Sequence, residues 1–328
     1  MLSRLPTMMP GRTCPLNYRY PPSVFNRDAD VHAETIYVIG GLYGNVPALN
    51  AILQLAATEP TKPTLIFNGD FNWFNVDAES FAVVNRCVLQ HVALRGNVET
   101  ELGADADDAG CGCAYPDYVD DVEVERSNAI IRRLRNAARA FPDLCQRLPQ
   151  LPMHAVAEIG GKRFAIVHGD AESLAGWRFA HDALHEPANV QWLQQICRDA
   201  RLAGFASSHT CLPAFRRFSD AKGEGEHFVI NNGAAGMPNF SCTQYGLITR
   251  ISVHPARAGL AQYGATRAGV HVDAIPVHFD AGAFQKNFID NWPEGSAAHK
   301  SYFNRLVDGP SYAPPHALGL SRAPLFCA

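Results

Sequence analysis

The chain has 328 residues, of which 28 are basic and 32 acidic, for a formal net charge of −4. With 47% hydrophobic and 18% charged residues it is a folded protein with a sizeable core, which excludes a disordered chain. Mild acidity without basic runs excludes a large nucleic-acid footprint, and nine cysteines, an odd number, exclude a fully paired disulfide framework.

Residues 1–34 are proline-rich and lack the unbroken apolar core of a signal peptide. No stretch reaches the roughly 18 apolar residues of a membrane span. The expectation is an irregular N-terminal arm on a cytoplasmic protein with reduced thiols and no membrane partner. TIYVI (35–39) then reads as a buried strand entering a tight turn at Gly40-Gly41. Asn45 is placed to cap a helix with Pro47 in its first turn. TLIF (64–67) is a second strand ending at Gly69-Asp70, residues 77–89 a helix, and HVAL (91–94) a third strand ending at Gly96-Asn97. Strand, helix, strand, helix, strand predicts parallel pairing in an α/β sheet.

Residues 103–121 are glycine-rich and acidic, with Asp105, Asp107, Asp108, Asp117, Asp120 and Asp121, and form a long loop. A charged helix is expected over 122–140, and AVAEI-GG-KRFAIV forms a β-hairpin ending at His168-Gly169-Asp170. A helix near 189–199 leads to a strand at 204–208, ending at His209. FRRF, EHFVINNG and YGLITRISV read as successive strands, and the last fifty residues as punctuated coil with short helices such as 281–291. The division expected is an arm (1–34), one domain (35–255) carrying the 103–121 loop, and a C-terminal extension (256–328) packed on it.

Five apolar runs end in polar turns: Gly41-Leu42-Tyr43-Gly44-Asn45, Asn68-Gly69-Asp70, Arg95-Gly96-Asn97-Val98-Glu99, His168-Gly169-Asp170 and Ser208-His209-Thr210. Loops at the carboxyl ends of strands in an open α/β sheet converge on ligands. An Asp, an Asn and two His delivered there make a mixed oxygen and nitrogen set, which suits Zn, Mn or Fe better than Mg or Ca.

In this order the motifs resemble the calcineurin-like metallophosphoesterases, whose pattern runs D-x-H-G-N, G-D, G-N-H-[DE], H-G and G-H-x-H. Asn231-Asn232-Gly233-Ala234-Ala235-Gly236 is similar to the N-P-G-S-x-G turn that often follows. The resemblance covers roughly residues 35–255 and implies two mixed β-sheets packed face to face with flanking helices, a four-layer α/β sandwich. It implies a pair of ions sharing a carboxylate, with Asp70 as the bridge and Asn97, His168 and His209 completing one site. The other site departs from the pattern: Gly41, Tyr43 and Cys211 stand where Asp, His and His are expected, and Val98 stands where a leaving-group histidine is common.

Two outcomes are open. Either Tyr43 and Cys211 are replacement ligands, as phenolate and thiolate, or one ion alone serves an altered reaction. Asp170 or Glu99 is then available as a general base or ligand. Cys111 and Cys113, in the acidic loop, are either exposed thiols on a turn or thiolate donors to the depleted site. Cys87, Cys145 and Cys197 read as packing residues, and Trp177, Phe179 and Trp192 as a core stripe. The expected activity is hydrolysis of a small phosphate mono- or diester through a metal-activated water, with one or two Mn, Fe or Zn ions. The alternatives are a catalytically impaired binding or regulatory module of the same fold, and a thiol-dependent redox or metal sensor using Cys111, Cys113 and Cys211. A small phosphorylated molecule is the partner expected, with oligomeric state left open.

Overall fold

The structure is a computed structural model that describes residues 9–104, 108–219, 223 and 225–321. Asp105 and Asp107 of the acidic loop lie outside the described residues, as do both chain ends. The arm contributes a short strand, β1 (Val31–His32). There follow β2 (Thr35–Ile39), α1 (Val46–Ala57), β3 (Thr64–Asn68), α2 (Ala78–Val88), β4 (Val92–Leu94) and α3 (Asn97–Leu102). The middle of the chain supplies α4 (Asp121–Ala138), α5 (Pro142–Arg147), β5 (His154–Ile159), β6 (Lys162–Val167), α6 (Pro187–Ala200) and β7 (Gly204–Ser207). After these come β8 (Pro213–Ser219), β9 (Glu226–Asn232), β10 (Gly246–Ser252), β11 (Tyr263–Arg267) and β12 (Val270–Val277). Helices α7 (Ala281–Asn291), α8 (Ala297–Asp308) and α9 (Pro314–Ala317) close the described chain.

The strands form two mixed six-stranded sheets, ordered β1-β5-β6-β7-β9-β8 and β11-β12-β10-β2-β3-β4. β2, β3 and β4 pair in parallel, as the alternation predicts. Every residue of β2 is buried because both of its faces are covered. Ile36 and Val38 face the other sheet, packed with Ile66, Ile166, Ala206 and Ile230. Tyr37 and Ile39 face outward into the helical layer of α1, α2, α4 and α8, with Leu49, Phe81, Ile131 and Leu306. The outer face of the first sheet, with Val156, Val167 and Phe205, is covered by Leu193 and Ile196 of α6. Helices, sheet, sheet and helices are thus the four layers.

Local signals act as expected. Asn45 caps α1, accepting from the Ala48 N–H at 2.8 Å. The β5–β6 hairpin turns on Gly160 and Gly161, with φ of 55° and 71°. Two strands beyond residue 255, β11 and β12, are not among those read from the sequence. β12 pairs antiparallel with β10, so residues beyond 255 complete the second sheet. This strand escapes pattern reading because Pro276 and Asp273 interrupt its apolar run. Helix α8 follows the expected helix over 281–291 and packs on α4.

One buried ion pair ties the sheet to α1. Arg250 of β10 grips Glu59 in two contacts, Nε to Oε1 at 2.6 Å and Nη2 to Oε2 at 3.0 Å. Tyr37 donates its hydroxyl to the same Oε1 at 2.7 Å, and Arg250 Nη1 donates to the His254 carbonyl at 2.8 Å.

Candidate metal centre

The two sheets bring different chemistry to one end of the sandwich. Asp70 and Asn97 follow β3 and β4 of the second sheet, and His168 and His209 follow β6 and β7 of the first. His168 Nε2 lies 3.3 Å from Asp70 Oδ2, 3.2 Å from Asn97 Oδ1 and 3.2 Å from His209 Nδ1. Donors bound to one ion at about 2.0–2.2 Å, at angles between octahedral and tetrahedral, sit roughly 2.9–3.5 Å from each other. The three distances from His168 Nε2 fall in that range, and Asp70, His168 and His209 offer donor atoms that all lie within 4.8 Å of one another.

Each donor is aimed by a second contact. The Asn68 carbonyl faces His168 Nδ1 at 2.9 Å, which puts the proton there and leaves the Nε2 lone pair for the site. The Cys113 carbonyl faces His209 Nε2 at 3.0 Å and frees Nδ1 in the same way. Asn97 Nδ2 donates to the Cys111 carbonyl at 2.9 Å, turning Oδ1 inward. Asp70 Oδ1 accepts from the Val98 N–H at 3.1 Å, leaving Oδ2 facing the histidine.

Burial alone would raise the Asp70 carboxyl and lower the His168 imidazole. Their mutual attraction outweighs it, holding Asp70 below the usual carboxylate range and His168 above its ordinary value. His209 is pushed down to about 3, first by burial and then by the neighbouring His168 charge. An anionic oxygen beside a neutral imidazole is a donor set for a transition-metal dication.

The turns leave little room for change. Gly69 has φ +79°, and a Cβ there would meet Gly96 N and His168 Nδ1 at 2.6 Å each. A Cβ on Gly96 would run into Asp70 Oδ1. Gly69→Ala is expected to cost at least about 1–3 kcal/mol from its backbone conformation alone. Urea unfolding should show this as a lower midpoint at unchanged slope.

Tyr43 and Cys211, which stand where the resemblance expects histidines, meet each other. Tyr43 bends back over Gly41: a Cβ at position 41 would touch Tyr43 Cζ at 2.9 Å and Oη at 3.0 Å. Its hydroxyl is 3.1 Å from Cys211 Sγ. Burial pushes the Cys211 thiol up, and burial followed by the adjoining sulfur raises the Tyr43 hydroxyl well above its ordinary value. Both shifts favour the protonated O–H and S–H forms of this hydrogen-bonded pair. Tyr43, Asp70 and Cys211 all hold left-handed backbone, with φ of 56°, 53° and 62°. Non-glycine residues in that region cluster at functional sites.

Glu99 and Asp170 do not reach the cavity over the donors. The Glu99 carboxylate accepts from the N–H groups of Asp70, Phe71 and Gly96, at 2.7, 3.1 and 3.0 Å. Burial and the facing Asp70 charge raise it to about 7. Asp170 accepts from the N–H groups of Glu172, Ser173 and Arg178. Both are backbone clamps. The 231–236 turn is another: Asn231 holds Thr210 Oγ1 at 2.8 Å, and Asn45 Nδ2 holds the Gly236 carbonyl at 2.9 Å.

Cys111 and Cys113 are buried rather than exposed, and they are joined as a disulfide. They turn carbonyl oxygens, not sulfurs, toward the ligand side chains. Trp177, expected in the core, lines the cavity instead, together with Trp73, Tyr115 and Tyr302. These aromatic walls carry no local signal, since an aromatic in a loop or helix reads the same whether it faces core or cleft. Of the other cysteines, Cys197 is buried as expected, while Cys87 and Cys145 are half-buried.

Among the described residues no helix is long and apolar enough to cross a membrane. No protein-family model matches the chain, and no curated protein matches it in sequence. Solved structures do match. A hypothetical protein from Pyrococcus horikoshii superposes with TM-score 0.57 at 15% identity, over 84% of this chain and 98% of that one. A metallophosphoesterase from Sphaerobacter thermophilus gives TM-score 0.50 at 16% identity, over 84% and 99% respectively. The chain therefore has the metallophosphoesterase fold that its ordered strand-end motifs implied.

Proposed function

We propose that this protein is a metal-dependent phosphoesterase that hydrolyses a small phosphate mono- or diester with a single ion, Mn, Fe or Zn. The observation that carries this reading is the convergence of Asp70 Oδ2, Asn97 Oδ1 and His209 Nδ1 within 3.2–3.3 Å of His168 Nε2. A dication held there supplies Lewis acidity toward a phosphoryl oxygen and lowers the pKa of a water toward roughly 7.

The chain's own groups set the rest of the chemistry. The cavity over the donors is narrow, about 30 Å³, and shares Tyr115, Trp177, Cys211 and Tyr302 with a neighbouring cavity of about 40 Å³. The aromatic side chains of the two cavities would face the alcohol portion of a bound ester. Val98 offers no side-chain proton to the leaving group at the position where the resemblance expects a histidine. Esters of acidic alcohols should react much faster than alkyl esters, with a steeper dependence on leaving-group pKa than an enzyme with a general acid shows.

A second reading, a binding or regulatory protein that keeps the fold without turnover, is favoured by the Tyr43–Cys211 pair in the second metal position. Elemental analysis after growth with Mn, Fe and Zn, combined with assays on aryl phosphate mono- and diesters, separates the two. The expected result is one ion per chain and chelator-sensitive turnover. One ion without turnover supports the second reading, and no bound metal rejects the first.

A further inference from the structure

The turn Cys111-Gly112-Cys113 is the part of the centre that phosphoester hydrolysis leaves unused. It lies in the stretch between α3 and α4, which has no regular structure among its described residues. Its two carbonyl oxygens each hold one ligand side chain. Cys111 O takes the Asn97 amide at 2.9 Å, and Cys113 O takes His209 Nε2 at 3.0 Å together with Trp177 Nε1 at 2.9 Å. These are the contacts that point Asn97 Oδ1 and His209 Nδ1 at the metal position. The turn is anchored to α4 through one bond, Cys111 N to Asn128 Oδ1 at 2.9 Å. Gly110, Gly112 and Ala114 all have positive φ, at 59°, 67° and 50°. Gly112 N to Ala109 O at 3.0 Å and Tyr115 N to Gly11 O at 2.9 Å brace its flanks, and the disulfide is its covalent closure. Cys113 lines the cavity over the donors.

We propose that the Cys111–Cys113 disulfide is a redox switch on metal binding. Closed, it holds both carbonyls in place and the ion binds; opened, it frees the turn, Asn97 and His209 lose their alignment, and the ion is released. This rests on the metal-centre reading above. The opening step uses a thiol reductant, RSH. One RS⁻ attacks a cysteine sulfur, the S–S bond breaks, and a mixed disulfide forms while the other cysteine leaves as a thiolate and takes up a proton. A second RSH resolves the mixed disulfide, so two RSH become RSSR and the protein gains two thiols. Disulfides in reducing compartments are usually of this sensing kind rather than structural.

Outer contacts of metal ligands typically change affinity 10–100-fold when lost. The disulfide form is accordingly expected to bind Mn(II) at least tenfold more tightly than the dithiol form. Linkage requires the reciprocal effect: saturating Mn(II) should make the disulfide harder to reduce by the same factor, about 30 mV more negative per tenfold.

The test is calorimetric titration of the full chain with Mn(II), before and after reduction by tris(carboxyethyl)phosphine, with a redox titration of the same protein with and without Mn(II). The Cys111→Ser/Cys113→Ser variant is expected to bind as weakly as reduced wild type, whether or not reductant is present. Measurable binding of equal strength in both redox states overturns the switch and leaves the metal centre standing. Tighter binding by the dithiol form also overturns it, because the sulfurs then act as ligands. Absence of Mn(II) binding in both states overturns the metal centre and the switch together. The paired potential shift is a readout that loss of general stability in the variant cannot produce.

Discussion

Asp70→Asn is expected to lower metal affinity by at least about 100-fold and to abolish phosphoester turnover, while the chain still folds. Asp70 is the one anionic donor among the four that converge on the site. The amide keeps shape and can still accept the Val98 N–H at the Oδ1 position, so the turn after β3 has no reason to rearrange. What disappears is a full negative charge in a buried site facing a dication, where low dielectric magnifies its worth. A hundredfold loss corresponds to about 2.7 kcal/mol. Titration of the variant with Mn(II), alongside urea unfolding, checks both halves. Unchanged affinity would mean that Asp70 is not a ligand.

The largest effect on stability is expected at Arg250. Arg250→Ala removes the partner of Glu59 and leaves a carboxylate in contact with Tyr37 but without its guanidinium. Removing one member of a buried pair typically costs about 3–5 kcal/mol, because the surviving charge loses its compensation. The midpoint of urea unfolding should fall accordingly. Arg250→Met with Glu59→Leu should recover only part of the loss, since the Glu59 charge goes but Asp273, 3.6 Å from Arg250 Nη1, still loses its cation.

The same pair sets a pH dependence. Burial acts to raise the Glu59 carboxyl, but the hydrogen bonds from Arg250 and Tyr37 outweigh it and hold it below its ordinary 4.5. A carboxyl lowered in the folded state contributes stability that is fully present above its unfolded value. That contribution is lost as pH falls from about 4.5 through the lower folded value. Wild type should therefore weaken in that window, and Glu59→Gln should show a shallower acid limb there. Equal limbs would mean that Glu59 titrates alike in both states.

Much of the fold was legible because its signals are local. The parallel run β2, β3 and β4 is legible in short apolar stretches ending in glycine, and the Asn45 cap and the Gly160-Gly161 turn in single residues. The hairpin of β11 and β12 was not, because β11 is an edge strand whose residues alternate between exposed and half-buried, and β12 carries Asp273 and Pro276. Their place in the sheet comes from pairing with β10, not from propensity. The candidate ligands Asp70, Asn97, His168 and His209 were legible as polar groups at strand ends. The Glu99 and Asp170 carboxylates looked equivalent to them in one dimension. Their capture by backbone N–H groups depends on how the turns close.

By itself the sequence determined which donor atoms are available and that successive strands would deliver them to one edge. Alternating apolar runs and glycine turns specify that much through short-range geometry. Only the tertiary structure decided what Tyr43 and Cys211 meet and what the CGC turn presents. Tyr43 meets Cys211 across 168 residues, and His209 meets the Cys113 carbonyl across 96. Contacts over such separations depend on how two sheets pack, and a side chain's neighbours there leave no mark on the residues beside it in the chain. Three of the cysteines thus have a tertiary role: Cys211 is a hydrogen-bonding partner of Tyr43, and Cys111 and Cys113 offer their carbonyls to Asn97 and His209.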